Sequence, residues 1–290
     1  MIEQQPSRTA FAAAAYRAAH QVFEDGKMFS DPLAMRILGL DVETVRREMG
    51  DPAQRAMRLF IAARTRFAEM KLAEAIAQRG VSQLVVLGAG LDTFAYRSPL
   101  ADRLAMFEVD FPATQAWKKR RLEETGIAAP ANLVYAPVNF ETDDLVGQLE
   151  AAGFDPARRS YFLWLGVVPY LTRTAVMATL GAVGGLRGGA EIAFDYSNPM
   201  HDADMTEQQR AARDALRARV ASVGEPFLSF FETEDLHAEL RSRGLGAITD
   251  FGTREIIEVL TLPFVPPAGP VDLQNIPKRG GHLVHAATPV

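Results

Sequence analysis

The sequence predicts an α/β protein in which a largely parallel β-sheet carries helices on both faces. From residue 81, short apolar runs alternate with helical patterns near 112–125, 142–152 and 172–186. Such alternation is typical of βαβ units, whose right-handed crossovers place helices on both sides of a sheet. The 290 residues, 48% of them hydrophobic, are enough for one large core. The predicted strands are 83–87, 104–109, 132–138, 161–165 and 190–196.

Residues 1–79 are predicted to form an N-terminal helical lid. Residues 10–15 are rich in alanine, which is the best helix former. Asp31 followed by Pro32 has the pattern of an N-cap with a proline in the first helical turn, and Gly39 supplies the stop. We therefore expect several helices here, and no strand.

A long helix is predicted at 53–78. Asp51 and Pro52 repeat the start signal, and Gly80 ends the pattern. Apolar residues three and four positions apart lie on one side of a helix. The stripe predicted to face the core consists of Leu59, Ala63, Phe67 and Met70.

The sheet-bearing domain is predicted to cover residues 80–290. A polar, helical stretch that turns aromatic interrupts the alternation at 198–231, and we interpret it as an insertion over the carboxyl edge of the sheet. The elements expected after it are a helix at 234–243, a strand at 247–251, a proline-rich loop at 263–270 and a last strand at 282–287.

Composition excludes several classes of function. The chain contains no cysteine, which rules out disulfides, thiolate nucleophiles, zinc–thiolate sites and iron–sulfur clusters. A net charge of −5 argues against broad nucleic-acid binding, which needs a basic footprint. The first residues are polar, and no apolar stretch is long enough to span a bilayer. We expect a cytoplasmic protein with a small-molecule partner, no nucleic-acid or membrane partner and no metal; the sequence does not indicate an oligomeric state.

A glycine turn and an acidic residue follow neighbouring predicted strands. Gly88 and Gly90 come directly after the first strand, and glycine lets the backbone approach a ligand closely. Asp110 ends the next strand, twenty residues beyond Gly90. In an open α/β sheet both features project into the crevice at the carboxyl ends of the strands, where a carboxylate can accept hydrogen bonds from a ribose diol. The pattern predicts a nucleoside site.

The residue at position 93 favours a ligand without a pyrophosphate. A dinucleotide fingerprint has a third glycine three residues beyond Gly90, but this chain has Thr93 there. S-adenosylmethionine (SAM), which has a ribose and no phosphate, therefore fits better than NAD. A NAD-dependent oxidoreductase and a non-catalytic SAM-binding protein stay as alternatives.

Two segments carry a resemblance to the leucine carboxyl methyltransferases and their bacterial relatives. They are Leu-Gly-Ala-Gly-Leu-Asp-Thr-Phe-Ala-Tyr-Arg at 87–97 and Phe-Glu-Val-Asp-Phe-Pro at 107–112. The similarity extends in the same order to Ser-Arg-Thr-Ala at 7–10, Asp-Pro-Leu-Ala at 31–34 and Trp-Leu-Gly-Val-Val-Pro-Tyr-Leu at 164–171. The resemblance implies a class I methyltransferase with a Rossmann-like seven-stranded sheet, a final antiparallel hairpin, SAM as methyl donor and S-adenosylhomocysteine as product.

The resemblance also implies roles for individual residues. Asp110 would hold the ribose hydroxyls, and Arg66, better spaced than Arg64, would pair with the methionine carboxylate. The expected cofactor residues are Arg66, Gly88, Ala89, Gly90, Asp110, Phe111, Asn139, Phe140 and Leu165. The chain departs from the family at two of them, because Asn139 replaces the usual aspartate and Leu165 replaces a frequent glutamate.

Methyl transfer from a sulfonium is an in-line displacement that needs alignment and exclusion of water. We expect the acceptor to be an oxygen of a small molecule, a carboxylate first and a hydroxyl second. A carboxylate needs no general base, whereas a phenol would use one. The candidates for catalysis are His20 in the lid and Tyr170, and those for substrate contact are Tyr96, Tyr170, Tyr196 and Phe227.

Overall fold

The computed structural model describes residues 7–202, 205–207, 210–211, 213–215, 218, 224–267, 273, 276 and 279–289. Within this part of the chain, seven strands form one sheet. They are β1 (Gln83–Leu87), β2 (Ala105–Asp110), β3 (Leu133–Pro137), β4 (Ser160–Trp164), β5 (Ala190–Ser197), β6 (Ala247–Phe251) and β7 (Gly281–Ala287). The predicted α/β class with a seven-stranded sheet is confirmed.

The strand order is β3-β2-β1-β4-β5-β7-β6. Strands β1 to β5 are parallel, and β7 runs antiparallel to both β5 and β6. The order reverses between β1 and β4, because β2 and β3 lie on one side of β1 and the later strands on the other. A ligand crevice forms at such a switch point, outside the carboxyl ends of the strands.

Helices cover both faces of the sheet. In the described residues they are α1 (Arg8–Phe23), α2 (Ala34–Leu38), α3 (Val42–Met49), α4 (Arg55–Gln78), α5 (Phe94–Arg97), α6 (Pro112–Glu124), α7 (Leu145–Ala151), α8 (Arg173–Gly184), α9 (Thr233–Ser242) and α10 (Thr253–Glu255). A π-helical segment, Ile256–Thr261, continues α10 and has no counterpart in the sequence prediction. None of the described helices is long and apolar enough to cross a membrane.

Alternation of side chains along β1 divides the core into two layers. Val85 and Leu87 belong to the cluster formed with α7, α8 and α9, whereas Leu84 and Val86 pack with α4 and α5. All five residues of β1 are buried, as expected for a central strand covered on both faces. This arrangement fixes the carboxyl end of β1, and the glycine turn after it, at the centre of the crevice edge.

The N-terminal helices add a smaller apolar cluster beside the sheet. Residues of α1, α2 and α3 pack with Leu91 and with Leu122 of α6. Gly39 ends α2 in the left-handed conformation, with φ of 69°, as predicted. Asp31 does not cap α2, which begins at Ala34. Its side chain is fully buried: Oδ1 accepts from the backbone N–H of Leu33 at 3.2 Å, in the turn before the helix, and Oδ2 accepts from Arg17 and Thr93.

Helix α4 lies against β4, β5 and β7, so it belongs to the sheet-covering layer. Three residues of the predicted stripe, Leu59, Ala63 and Phe67, are buried. Met70 is 37% exposed, so its assignment to the core was wrong. The buried face of the second half of α4 is formed by Ala68, Leu72, Ala75 and Ile76, which pack on the sheet and leave Met70 pointing outward.

The predicted insertion at 198–231 and loop at 263–270 lie partly outside the described residues. The described end of the insertion, 224–231, returns over the carboxyl edge of the sheet. Backbone N–H groups of Leu228 and Ser229 donate to the carbonyl oxygen of Pro169, at 2.7 and 3.4 Å. This segment therefore lies beside the short 3₁₀ turn Val168–Tyr170 that follows β4.

Candidate functional site

The glycine turn after β1 is tightly covered by other parts of the chain. Gly88 and Gly90 have φ of 64° and 46°, a conformation that other residues rarely adopt. A Cβ atom on Gly88 would lie 2.4 Å from Cγ2 of Val167, and one on Gly90 would lie 2.8 Å from Cβ of Ala10. Both the backbone conformation and the lack of space therefore require glycine at these positions. The turn packs beneath α1 and the loop after β4.

A cavity of about 630 Å³ opens at this point. Its walls come from the carboxyl ends of β1, β2 and β4, the first turns of α1, and residues 224–228. Ligand pockets commonly have volumes of this order. The residues that line it include Ser7, Thr9, Ala10, Ala13, Arg17, Arg64, Thr65, Gly88, Ala89, Gly90, Asp92, Asp110, Phe111, Asn139, Phe140, Glu141, Leu165, Gly166, Tyr170, Glu225, Pro226 and Leu228.

Asp110 is the acidic group at the centre of the crevice. Its Oδ2 accepts a hydrogen bond from the backbone N–H of Gly90, and its Oδ1 accepts one from Phe111 at 2.6 Å. Burial raises the pKa of Asp110 to about 6, although these two N–H groups oppose the shift. The carboxylate is thus fixed against the glycine turn, where the sequence places the ribose hydroxyls.

Arg64, and not Arg66, reaches the cavity from α4. Nη1 of Arg64 donates to Oδ2 of Asp195 at 3.1 Å, and the backbone N–H of Gly166 donates to Oδ1 of the same carboxylate at 2.6 Å. The Arg64 side chain is buried, and its Nε has no hydrogen-bond partner among the described residues. A Cβ on Gly166 would lie 2.7 Å from Nη1, so glycine makes room for the guanidinium.

Arg66 is directed away from the cavity. Its Nη1 donates to the carbonyl oxygen of Met28 at 2.9 Å, and its guanidinium lies 3.9 Å from the ring centroid of Phe264. Its Nε also lacks a partner in the described chain, but it lies outside the cavity walls. Of the two arginines, Arg64 lines the cavity, and Arg66, which was expected to face the cofactor, does not. The two residues are two positions apart on a helix, which turns them about 200° from each other.

Asn139, Phe140 and Leu165 line the end of the cavity beside β3 and β4. Oδ1 of Asn139 accepts a hydrogen bond from the backbone N–H of Glu141 at 3.1 Å, which holds the loop after β3 in a turn. The ring of Phe140 lies 6.5 Å from that of Trp164, centroid to centroid. These residues form an apolar slot that ends in an amide.

Arg17 ties the lid to the loop after the glycine turn. Its Nε donates to Asp31 at 2.9 Å, and its Nη2 donates to the carbonyl oxygen of Leu91. Oγ1 of Thr93 donates to the same Asp31 carboxylate at 2.8 Å. Thr93 therefore belongs to a buried hydrogen-bond network that joins α1 to the turn. The sequence pattern did not reveal this role.

The remaining wall of the cavity joins Tyr170 to the insertion. Tyr170 packs against Phe227, with ring centroids 5.4 Å apart, and burial raises the pKa of Tyr170 to about 12. Glu225 lies beside it and accepts a hydrogen bond from the backbone N–H of Thr9 at 3.0 Å. No motif identified Glu225 in the sequence, because a lone glutamate in a polar stretch has no distinguishing spacing.

Four other candidates do not line the cavity. His20 is fully buried in α1, where its ring contacts Glu24 at 3.2 Å and accepts from the backbone N–H of Met28 at 3.3 Å. The Tyr96 hydroxyl pairs with that of Tyr135 at 2.8 Å, and the Tyr196 hydroxyl donates to Asp250 at 2.7 Å. Phe227 supports Tyr170 without lining the cavity itself.

The strand order with an antiparallel seventh strand is the class I methyltransferase fold. Two solved structures share it over nearly all of this chain. A putative methyltransferase from Thermobifida fusca has a TM-score of 0.56 at 16% identity, covering 100% of this chain and 97% of its own. A DUF574 family protein from Streptomyces avermitilis has a TM-score of 0.53 at 15% identity, covering 96% and 97%. At these identities the likeness defines the fold alone.

Sequence comparison defines the family. Residues 10–184 match the leucine carboxyl methyltransferase family, and the chain belongs to it. The "Putative S-adenosyl-L-methionine-dependent methyltransferase YktD" of Bacillus subtilis is 34% identical over 169 residues, which are 57% of this chain and 54% of that protein. A relative of the same description from Mycobacterium sp. (strain KMS) is 38% identical over 157 residues, covering 53% and 52%. The chain thus spans about half the length of the curated relatives it matches.

Proposed function

We propose that this protein binds SAM in the cavity and transfers its methyl group to an oxygen of a small molecule. The observation that carries the proposal is the convergence of three features on one cavity. They are the glycine turn of Gly88 and Gly90, the fixed carboxylate of Asp110, and the guanidinium of Arg64 in the cavity wall, held by Asp195. Membership of the family and the names of the curated relatives support the same ligand.

Each part of SAM has a matching group in the cavity. Asp110 would accept hydrogen bonds from the ribose hydroxyls, and the glycine turn would let the backbone approach the methionine portion closely. The guanidinium of Arg64, which lines the cavity and uses Nη1 to bond to Asp195, would donate another N–H to the methionine carboxylate. Phe140 and Asn139 would flank the adenine in the slot beside β3.

Bound SAM supplies an electrophilic methyl group, so the protein's contribution is alignment and exclusion of water. The lid helix α1 and residues 224–228 cover the crevice, and the walls contributed by Ala10, Ala13, Pro226 and Leu228 are apolar. The crevice is covered on two sides, by α1 and by residues 224–228, so a small molecule reaches its interior more readily than a folded protein surface does. We therefore place a small-molecule oxygen, and not a folded protein surface, beside Tyr170.

Calorimetric titration with SAM, and separately with NAD, tests the cofactor. We expect micromolar binding of SAM and none of NAD, because Thr93 is held by Asp31 where a dinucleotide turn would have glycine. The control variant is Asp110→Asn, which keeps the size of the side chain and should lower SAM affinity at least tenfold with the fold retained by circular dichroism. Equal SAM affinity in this variant would contradict the ribose assignment.

A further inference from the structure

Glu225 brings a second fixed carboxylate into the cavity. It is only 8% exposed, and its Oε2 accepts from the backbone N–H of Thr9 at 3.0 Å. Thr9 lies in the first turn of α1, where the helix dipole stabilises negative charge. The described chain offers Glu225 no arginine or lysine as an ion-pair partner. The N-terminal end of α1 therefore stabilises the negative charge of Glu225, which lies in the cavity wall.

The position of Glu225 is defined by its neighbours. Burial is the main reason for the raised pKa of Asp110 and of Tyr170, and the negative charge of Glu225 contributes to raising both. Glu225 thus lies within electrostatic reach of both the ribose carboxylate and the tyrosine beyond β4. It joins the cover of the cavity, with Pro226 and Leu228 beside it. We place the methyl group and its acceptor on this side, because Tyr170 and Glu225 both line the cavity here.

The charges of the cavity disfavour an anionic acceptor. Four of the lining residues described are acidic: Asp92, Asp110, Glu141 and Glu225. The two lining arginines, Arg17 and Arg64, already pair with Asp31 and Asp195. A carboxylate beside Glu225 would be repelled by it, and this repulsion offsets the attraction that the carboxylate gains from the sulfonium of SAM. A hydroxyl in the same place would instead donate a hydrogen bond.

We propose that Glu225 contacts the methyl acceptor and selects a neutral hydroxyl group over a carboxylate. This inference rests on the methyl transfer proposed above. The acceptor O–H donates to Glu225, and the oxygen forms a bond to the methyl carbon. The bond from that carbon to sulfur breaks, its electron pair stays on sulfur, and the hydroxyl proton passes to the Glu225 carboxylate and then to water. The products are a methyl ether and neutral S-adenosylhomocysteine.

The ratio of the affinities for SAM and S-adenosylhomocysteine tests the position of Glu225, and the test needs no methyl acceptor. SAM carries a positive sulfonium and S-adenosylhomocysteine does not, so a carboxylate near the methyl group favours SAM. Glu225→Gln keeps an oxygen that can accept from Thr9, and we expect it to lower SAM affinity about tenfold relative to S-adenosylhomocysteine. The matched control is Glu141→Gln, since Glu141 lines the same cavity but bonds to Thr172. Its ratio should stay within about twofold of the wild type.

An unchanged ratio in Glu225→Gln would overturn the inference while leaving the proposed function intact. Failure of the wild-type protein to bind SAM at all would overturn the proposed function instead. The two failures are therefore distinguishable in one series of calorimetric titrations.

Matched acceptor pairs test the selection itself. Phenol with benzoate, and hexanol with hexanoate, differ mainly in the charge of the acceptor group. We expect S-adenosylhomocysteine formation with a hydroxyl member and not with its carboxylate partner, and a fall in kcat of at least about a hundredfold in Glu225→Gln with little change in KM for SAM. Methylation of a carboxylate member would overturn the inference. The binding ratio decides the position of Glu225 whether or not these compounds are turned over.

Discussion

Asp110 combines two properties that rarely occur together at a ligand site. It accepts two backbone hydrogen bonds, which favour its charged form, yet burial outweighs them and raises its pKa to about 6. A carboxylate with a pKa above its ordinary value binds a proton as the pH falls through about 6. Below that pH the group has lost its charge and becomes a poorer acceptor for a ribose diol.

SAM affinity should therefore depend on pH through Asp110. We expect a constant Kd above about pH 7 and a weaker affinity below about pH 6, falling by up to about tenfold for each further pH unit. Isothermal titration between pH 5 and 8 measures this profile. Asp110→Asn cannot titrate and serves as the control, so titration of SAM itself would appear in both proteins. A slope shared by both would assign the dependence to another group.

Arg64 offers a second residue-scale prediction. Arg64→Lys can keep the ion pair with Asp195 but loses the planar set of N–H donors that could reach a ligand carboxylate as well, and we expect SAM affinity to fall by about ten- to hundredfold. Arg66→Lys is the matched control on the same helix, because Arg66 bonds to Met28 outside the cavity. Calorimetry on both variants decides the assignment. A larger loss of SAM affinity in Arg66→Lys than in Arg64→Lys would contradict the assignment and support Arg66, which its spacing had favoured.

The choice between Arg64 and Arg66 also shows what could not be predicted from the sequence. Buried residues lie on nearly every side of α4, so hydrophobic periodicity does not tell which face meets the crevice. The resemblance to the family narrowed the choice to Arg64 and Arg66, but only packing on the sheet sets the rotation of the helix. Asp110 and the glycine turn were easier to locate, because the end of a strand has only one edge of the sheet to reach.

At the scale of elements, the glycine turn is constrained by its contact with α1 as well as by its own backbone conformation. Gly80 and Gly90 both have positive φ, 70° and 46°, but their surroundings differ. A Cβ on Gly80 would meet nothing within 4 Å, whereas one on Gly90 would meet Ala10 at 2.8 Å. The two positions therefore separate the cost of backbone strain from the cost of displacing the lid.

Gly80→Ala should lower the free energy of unfolding by about 1 kcal/mol and leave SAM affinity unchanged. Gly90→Ala carries the same strain and must also displace the first turns of α1, so we expect a larger loss of stability together with weaker SAM binding. Urea denaturation and calorimetry provide the two readouts. Equal behaviour of the two variants would show that α1 does not rest on the turn.

Element types and most boundaries could be predicted because local signals agreed with the fold. Strands β1 and β6 match their predicted limits, and each of the other strands differs by one residue at one or both ends. The π-helical segment Ile256–Thr261 was missed, since nothing local distinguishes it from an ordinary helix. Glu225 was missed for a different reason: its role depends on a contact 216 residues away in the chain, with Thr9.

For the whole molecule, the cover of the cavity joins two segments that lie far apart in the chain. The first turns of α1 and residues 224–228 meet through the hydrogen bond from Thr9 to Glu225. Helix α1 is otherwise anchored by fully buried residues, including Ala14, Ala18 and His20. We expect the two segments to separate at this hydrogen bond when a ligand enters, because lids of this kind open by local motion.

Hydrogen–deuterium exchange should report this motion. In the free protein we expect faster exchange at residues 7–13 and 224–231 than in α4, whose backbone lies against the sheet. SAM should slow exchange in both segments together, because each lines the same cavity, while α4 changes little. Glu225→Gln keeps an acceptor for Thr9 and should show the same coupling in the presence of S-adenosylhomocysteine. Protection of only one segment would mean that the cover is not a single unit, and that α1 and the insertion admit ligands independently.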